Sequence, residues 1–398
     1  MHGSKSAVKN EPGVDADVVV IGGGVVGLSV AYNLLNHGGG DLRVMLLERE
    51  SSLGQGSTSR ANGGVRAQFT TAVNIAFSAY SIARIEEMAY ASDGTLAFHQ
   101  AGYLLFTGDP ARAEGLRRAY ELQRSLGIDT EWLEPRRIVE MAPFIRSDGL
   151  LCGTFHSRDG YLDPHGLLSA FAGRARALGA DIRTSTEVLS IDSSDSGYEI
   201  ETTGGRVGTS IVVDAAGPWA ASICSLAGIE LPVHPIRRNI GYLRDDLEPH
   251  ELIPMCVDLD TGVLIRREGP DGYVVAYSDP ADESGWDTSF DPRWLDAVAT
   301  RIGNRFPHLK DVPIDPRHCW AGLYPETPDG HAIIGEIPEH PGFFVCAGFG
   351  GHGLMHAPAA GRAIAELIVD GTCSTFDLHP LRPSRFAEGD LMIEQTVL

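Results

Sequence analysis

The sequence predicts an α/β protein that has a discontinuous Rossmann-like dinucleotide-binding domain and a separate antiparallel-sheet domain. Three observations lead to this prediction. A strand–glycine–helix unit occupies Asp17–Glu48, a second strand runs from Ile211 into Gly217, and a third strand, glycine loop and helix follow Gly342. Because the same unit recurs at three distant places, we expect one nucleotide domain assembled from separated segments.

The first unit carries the dinucleotide-binding pattern in its expected context. An apolar, β-branched strand ends at Ile21, and the pattern Gly22-x-Gly24-x-x-Gly27 opens a helix. The first glycine allows the tight turn, the second allows a pyrophosphate to approach, and the third allows helix and strand to pack closely. Glu48 ends the next strand, where a carboxylate accepts ribose hydroxyls and repels a 2′-phosphate. The alternative is a glycine-rich turn without a ligand.

The third unit favours FAD over NAD. A strand over Gly342–Ala347 leads into the glycine loop Gly348–Gly353, and Leu354–Asp370 has a helical pattern. A nicotinamide dinucleotide does not need a second glycine loop so far along the chain. A flavin does, because a helix N-terminus stabilises the negative charge of its reduced form.

Composition excludes several classes of function. The chain has 398 residues, a net charge of −21 and a pI of about 5.0, which argues against nucleic acid and anionic membranes as partners. Its six cysteines form no CxxC pair and no zinc-type spacing, so no metal site is predicted. Residues 1–16 lack an apolar signal core and are expected to be a disordered lead-in. No apolar run is long enough to span a membrane, and a cytoplasmic location is expected.

Between these units the pattern alternates between helices and strands. Helices are predicted over Thr71–Tyr90, Pro110–Leu126, Glu134–Met141, Pro164–Leu178 and Pro292–Phe306. Strands are predicted over Ala101–Phe106, Gly149–Phe155, Asp181–Thr184, Glu187–Ile191, Tyr198–Thr202, Ile236–Leu243, Val263–Arg267 and Tyr273–Tyr277. Asp159–Asp163 is predicted as a polar turn, with Asp163 capping the next helix. The segment 231–318 has no phosphate-binding loop and is interpreted as a substrate domain.

Five segments in order resemble the D-amino-acid oxidase superfamily of FAD-dependent oxidoreductases. They are GGGVVGLSVAYNL from Gly22, GSTSRANGGVR from Gly56, AAGPWA from Ala215, YPETPDGHAIIG from Tyr324 and AGFGGHG from Ala347. The nearest resemblance is to the branch with monomeric sarcosine oxidase, glycine oxidase and the catalytic subunits of bacterial proline and sarcosine dehydrogenases. It covers nearly the whole chain after residue 16.

The resemblance implies a D-amino-acid oxidase-like, two-domain fold. The FAD-binding domain would comprise 17–95, 158–233 and 331–398, and the substrate-binding domain 96–157 and 234–330. The residues implied to bind the cofactor are Gly22, Gly24, Gly27, Glu48, Ser57, Thr58, Ala61, Asn62, Gly63, Val188, Gly217, Trp219, Gly350, Gly351, His352, Gly353, Leu354 and Met355.

Three further residues are implied to act on the substrate. Arg66 falls at the position of the family arginine that binds the substrate carboxylate; alternatively it pairs with a structural carboxylate. Tyr324 matches an active-site tyrosine, or is a packed core residue. His352 is either an acid–base group or a residue held by the backbone of its glycine loop.

Departures from the family pattern refine these expectations. The two family positions for covalent flavin attachment fall at Gly322 and near Arg60, and Cys319 lies three residues short of the first. We therefore predict non-covalent FAD. A second carboxylate-binding lysine is replaced by Met355, and the lysine that promotes reaction with oxygen falls near Val274, which favours a dehydrogenase.

The resemblance implies hydride transfer from the C–N bond of an amino or imino acid to flavin N5, giving an imine. The substrate would be an N-methyl amino acid, a proline-like compound or another secondary amine. Two alternatives stay open: deamination of a D-amino acid or glycine, and a non-catalytic FAD-carrying subunit or assembly factor. The expected partner is a small molecule, and a homo- or hetero-oligomer is possible.

Overall fold

A computed structural model describes residues 14–39, 42–194, 197–244, 253–269, 272–279, 281–310, 312 and 314–394. The first strand begins at Ala16, and Val14 is already buried. The backbone N–H of Asp15 donates to the Gly208 carbonyl oxygen at 2.9 Å. Residues 14–16 therefore belong to the fold rather than to the expected lead-in, whose other residues, 1–13, lie outside the described residues.

The strands are β1 Ala16–Ile21, β2 Val44–Leu47, β3 Gly64–Val65, β4 Phe98–His99, β5 Tyr103–Thr107, β6 Glu131–Leu133, β7 Cys152–His156, β8 Gly160–Leu162, β9 Asp181–Arg183, β10 Val188–Ser194, β11 Gly197–Thr202, β12 Gly205–Asp214, β13 His234–Arg244, β14 Met255–Asp258, β15 Val263–Glu268, β16 Gly272–Tyr277, β17 Trp320–Glu326, β18 Ile333–Glu336 and β19 Phe343–Ala347. The helices are α1 Val25–Gly38, α2 Ala72–Tyr90, α3 Pro110–Ser125, α4 Pro135–Met141, α5 Pro164–Ala177, α6 Ala220–Leu226, α7 Arg293–Arg305, α8 Gly353–Asp370 and α9 Arg385–Glu388.

The first sheet unites the three separated units. Parallel pairing joins β19, β12, β1, β2 and β9 in that order, while β10, β11 and β18 add antiparallel strands. Ile21 pairs with Asp214, and Asp214 pairs with Val345. Because these residues end or nearly end their strands, the three glycine-containing loops emerge side by side at one edge. The Rossmann-like assembly from distant segments is confirmed.

Helices α1 and α8 pack against this sheet, while α5 packs against α1 and α2 packs against α8. Helix α8 packs along α1 so closely that a Cβ on Gly361 would lie 2.4 Å from the Ser29 hydroxyl oxygen. Helix α5 begins as predicted, since the Asp163 carboxylate accepts hydrogen bonds from the backbone N–H groups of His165 and Gly166. These contacts bury α1 and fix the N-termini of α1 and α8 near each other.

The second sheet has the strand order β17-β13-β16-β15-β14-β5-β7-β6 and is antiparallel except for the parallel pair β14–β5. Three of its strands, β6, β14 and β17, were not predicted. A three-stranded sheet, β3-β8-β4, lies apart from it. The polar-turn prediction for Asp159–Asp163 is wrong at its centre, because Gly160–Leu162 forms β8, where Tyr161 pairs with Gly64.

The predicted domain ranges stay a prediction. All six cysteines are unpaired. Within the described part of the chain, no helix combines the length and apolarity needed to cross a membrane, and no group of three or more acidic, histidine or cysteine residues could hold a metal ion.

Candidate active site

One cavity opens at the edge where the three glycine-containing loops emerge. Every residue predicted to contact cofactor or substrate lines it except Gly27. The lining members of the predicted set are Gly22, Gly24, Glu48, Ser57, Thr58, Ala61, Asn62, Gly63, Arg66, Val188, Gly217, Trp219, Tyr324, Gly350, Gly351, His352, Gly353, Leu354 and Met355. The predicted residues thus lie around one cavity, and the role of each residue stays a prediction.

Gly27 has a structural function behind the cavity. A Cβ at this position would lie 2.0 Å from the carbonyl oxygen of Gly22, which no side chain permits. Gly22 itself has a φ of +115°, and a Cβ there would lie 2.6 Å from the Ala215 carbonyl oxygen. The two glycines thus allow α1, its loop and β12 to approach closely, as the motif requires.

Glu48 is placed to bind a ribose. One carboxylate oxygen accepts a hydrogen bond from the Gly23 N–H at 2.7 Å, and the other accepts one from the Glu50 N–H at 2.9 Å. These bonds orient the carboxylate at the cavity wall, next to Thr186 and Val188. Each carboxylate oxygen retains a lone pair with which to accept a hydroxyl proton.

The N-terminus of α1 is suited to a pyrophosphate. Its first turn contains no acidic residue, and the Thr58 hydroxyl accepts a hydrogen bond from the Val25 N–H at 3.2 Å. Gly24 has no side chain between this turn and the cavity. A Cβ at this position would lie 3.3 Å from the same hydroxyl oxygen. The neighbouring Ser57 hydroxyl donates to the Leu323 carbonyl oxygen at 2.6 Å, which ties this loop to β17 of the second sheet.

The N-terminus of α8 forms the second helix end at the cavity. Its first turn also lacks an acidic residue, and His352 is its N-cap. Gly350 has a φ of +51° and donates its N–H to the Pro325 carbonyl oxygen at 2.9 Å. A Cβ on Gly351 would lie 2.7 Å from the Tyr324 ring. The loop therefore needs its glycines to bring backbone N–H groups against the cavity, an arrangement suited to an electron-rich ring edge.

Arg66 lies fully within the protein at the same end of the cavity. Its guanidinium carbon is 4.0 Å from the centre of the Phe69 ring, and Nη1 donates to the Gln68 carbonyl oxygen. Burial lowers the pKa of Arg66 from its ordinary value, and a guanidinium group in a protein keeps its charge. Burial also raises the pKa of Tyr324, so its hydroxyl stays protonated and can donate a hydrogen bond.

His352 is a neutral imidazole in this site. Its ring meets Phe69 edge-on at 4.8 Å, and the ring of His356 lies 5.7 Å away. Burial lowers the pKa of His352 well below its ordinary value, and the positive charge of Arg66 lowers it further. The histidine can therefore act as a hydrogen-bonding group but not as a cation near neutral pH.

The two family positions of covalent attachment hold Gly322 and Arg60 here, neither of which is a cysteine or a histidine. A Cβ on Gly322 would lie 3.0 Å from the Arg60 Cβ. Arg60 is held by a 2.7 Å bond from Nη1 to the Ala321 carbonyl oxygen, and Cys319 does not line the cavity. This arrangement supports the prediction of non-covalent FAD, which stays a prediction. Val274 does not line the cavity either. The absence of a lysine at that position therefore gives no structural argument for a dehydrogenase.

The lining residues that were not predicted include Tyr103, Arg238 and Leu264. Tyr103 and Leu264 lie in predicted strands whose apolar pattern gives no indication of which face meets a ligand. Arg238 offered a signal, because two adjacent arginines interrupt an otherwise apolar strand. Only the packing of β13 against β17 shows that the second of them faces the cavity.

Comparison with known proteins finds relatives that cover almost the whole chain. A family model described as "DAO: FAD dependent oxidoreductase" matches residues 17–367. "FAD-dependent oxidoreductase domain-containing protein 1" from Xenopus laevis is 30% identical over 430 residues, which cover 96% of this chain and 85% of that protein. Glycine oxidase from Geobacillus kaustophilus is 29% identical, covering 93% of this chain and 97% of the enzyme. The crystal structure of L-proline dehydrogenase from P. horikoshii superposes with a TM-score of 0.88 at 29% identity, covering 94% and 99% of the two chains.

Proposed function

The chain belongs to the DAO family of FAD-dependent oxidoreductases, and from this premise we propose that it oxidises the C–N bond of an amino or imino acid. The predicted superfamily, fold class and cofactor are confirmed by the family match and the solved structures. Relatives named for glycine and L-proline support a substrate of this class. The observation that carries the proposal is the buried guanidinium of Arg66 beside Tyr324 at the cavity wall.

The residues present fit FAD. Glu48 would hold the adenosine ribose, the N-terminus of α1 the pyrophosphate, and the Gly350–Leu354 turn the pyrimidine edge of the flavin. When bound, FAD supplies the hydride acceptor for oxidation of C–N to C=N. The wall contains no acidic side chain in the first turn of either helix, so nothing there opposes the phosphate or flavin charge.

Arg66 would bind and orient the substrate carboxylate. A buried guanidinium binds a carboxylate more strongly than an exposed one, because water does not compete and the local dielectric constant is low. The Tyr324 hydroxyl, protonated through burial, would donate a hydrogen bond to the same ligand. Both groups fix the orientation of the carbon next to nitrogen, and such fixed orientation is the main contribution of the protein.

The amine must enter without a proton, because an ammonium has no lone pair with which to form the imine. The site supports this requirement, since Arg66 is positive and the buried His352 is neutral. A positive guanidinium disfavours an ammonium and so lowers the pKa of the bound amine. The released imine then reacts with water in solution, without a catalytic contribution from the protein, and gives a carbonyl compound and an amine.

Anaerobic bleaching of the flavin tests the proposal. The holoprotein would be mixed without oxygen with sarcosine, other N-methyl amino acids, L- and D-proline, glycine and D-amino acids, and the flavin absorbance near 450 nm followed. We expect bleaching by at least one amino or imino acid and none by the corresponding decarboxylated amine. Repeating the active compound in air distinguishes an oxidase from a dehydrogenase. Bound FAD that no compound reduces contradicts the proposal and favours a non-catalytic FAD-carrying subunit.

A further inference from the structure

Arg238 is a second guanidinium on the wall of the cavity. It lies on β13 in the second sheet, and its guanidinium carbon is 5.7 Å from the centre of the Tyr324 ring. Its side chain is 16% exposed, so it is enclosed yet reachable from the cavity. The positive charges of Arg238 and Arg66 both act to lower the pKa of Tyr324, so the tyrosine lies near two guanidinium groups.

The hydrogen-bonding capacity of Arg238 is only partly used. Nη1 donates to the Asp282 carboxylate at 3.2 Å and to the Arg237 carbonyl oxygen at 3.4 Å. Nη2 has a longer contact of 3.8 Å with Glu326, and the buried Nε has no partner among the described residues. A guanidinium carries five N–H donors, so Nη2 in particular remains available to a ligand in the cavity.

Two acids contact Arg238 from outside the cavity wall. Neither Asp282 nor Glu326 lines the cavity. Burial raises the pKa of Glu326 above its ordinary value, and burial likewise raises the pKa of Asp282. Both acids contact Arg238 from residues outside the cavity lining, whereas Arg238 itself lines the cavity.

The cavity wall separates its charges by region. Its carboxylates, Glu48, Glu50 and Glu187, gather around the ends of β2 and β10, where the ribose is expected. The wall near Tyr324 has the guanidinium groups of Arg66 and Arg238 and no carboxylate among its described lining residues. A substrate with two carboxylates could place one anionic group against each of these two guanidinium groups in this poorly hydrated space.

We propose that Arg238 binds a second carboxylate of the substrate, so that the substrate is an amino or imino dicarboxylic acid. The inference rests on the proposed function, because it places the α-carboxylate on Arg66. It goes further by naming the substrate class and a residue that selects it. Met355 stands where the family has a second carboxylate-binding lysine. The α-carboxylate would therefore bind Arg66 alone, and Arg238 would determine the selectivity for a second carboxylate.

Equilibrium binding of unreactive acids tests this inference without turnover. The FAD-loaded protein would be titrated at constant ionic strength with succinate and with succinamate, which differ only in the second acidic group. The change in the flavin absorbance spectrum gives each Kd, and malonate, glutarate and adipate measure the preferred spacing. We expect succinate or another diacid of this series to bind roughly 30-fold or more tightly than its monoamide, as expected for a charge-assisted pair in a buried site.

Two variants assign the preference to Arg238. Arg238→Gln should abolish the ratio, and Arg238→Lys should retain part of it because the charge remains. Arg237→Gln is the matched control: the neighbouring arginine pairs with Asp287 at 2.6 Å and Asp291 at 3.0 Å and does not line the cavity. It should leave the ratio unchanged.

Several results overturn the inference. These are equal Kd values for diacid and monoamide in the unaltered protein, no binding of any diacid, or a ratio that survives in Arg238→Gln. If that variant does not retain FAD, the unaltered protein and Arg238→Lys decide the question. Failure of every amine to bleach the flavin overturns the proposed function instead, and binding of diacids remains measurable in that case.

Discussion

Glu394, close to the C-terminus, holds the segment that carries Arg66. The side chain is 4% exposed. Its carboxylate accepts hydrogen bonds from the Thr70 N–H at 3.0 Å, the Thr70 hydroxyl at 2.5 Å, the Thr71 hydroxyl at 2.9 Å and the Asn74 amide at 3.1 Å. Because the Phe69 ring and the Gln68 carbonyl oxygen contact Arg66, we predict that Glu394 positions the arginine through this segment.

The contacts set the expected magnitude. Glu394→Ala leaves four donors without their acceptor in a buried place. Lost bonds to a charged group cost about 1.5–3 kcal/mol each when taken singly, but neighbouring losses are not additive. We therefore expect about 3–5 kcal/mol of destabilisation, the range seen when one partner of a buried charged network is removed. Glu394→Gln keeps an accepting oxygen and should cost about 1–2 kcal/mol.

The functional readout separates positioning from stability. For Glu394→Gln we expect KM for a carboxylate substrate to rise about tenfold, which corresponds to about 1.4 kcal/mol, with kcat changed much less. Urea unfolding measures the stability of the same samples. Asp390→Asn is the control, since this acid on the same terminal segment is 59% exposed and contacts Arg382; it should change neither quantity appreciably. An unchanged KM in Glu394→Gln, with stability reduced, would refute the positioning role.

Four further predictions follow from single contacts. Arg66→Met should raise KM for carboxylate substrates about 100-fold or more while FAD content, read from absorbance, is kept; an unaltered KM removes its role. Gly27→Ala should fold poorly or lose FAD, because its Cβ would meet the Gly22 carbonyl oxygen at 2.0 Å; normal FAD content contradicts this. Acid precipitation should release all flavin into the supernatant, and a yellow pellet would show covalent attachment. The free energy of unfolding should fall by about 1.4 kcal/mol per pH unit for each of His352 and His356 below pH ~6.5. The reason is that burial lowers both pKa values, so that only the unfolded chain takes up those protons. Urea titrations of the unaltered protein and of His356→Gln would show whether the dependence of this free energy on pH becomes less steep in the variant.

The sequence predicted the first sheet well because its signals are local. Each of the three units combines an apolar strand, glycines and a helix within a short stretch. The structure adds the pairing of Ile21 with Asp214 and of Asp214 with Val345, which places the three strands side by side. The second sheet was predicted less completely. Strand β14 pairs in parallel with β5, far earlier in the chain, and no local pattern indicates such a partner. The turn predicted at Asp159–Asp163 failed because a polar, glycine-containing segment became a strand through pairing with Gly64.

The same difference explains why the cofactor could be predicted from the residues and the substrate could not. The groups for the ribose and pyrophosphate come from the first sheet and its adjoining loop, where glycine spacing and a terminal acid are fixed by chain geometry. The proposed substrate end combines Arg66, which follows β3, with Tyr103, Arg238 and Tyr324 from three strands of the second sheet. Their meeting depends on the packing of one sheet against the other. A change in any of these strands can therefore alter substrate choice while FAD binding is kept, which is the outcome expected for Arg238→Gln.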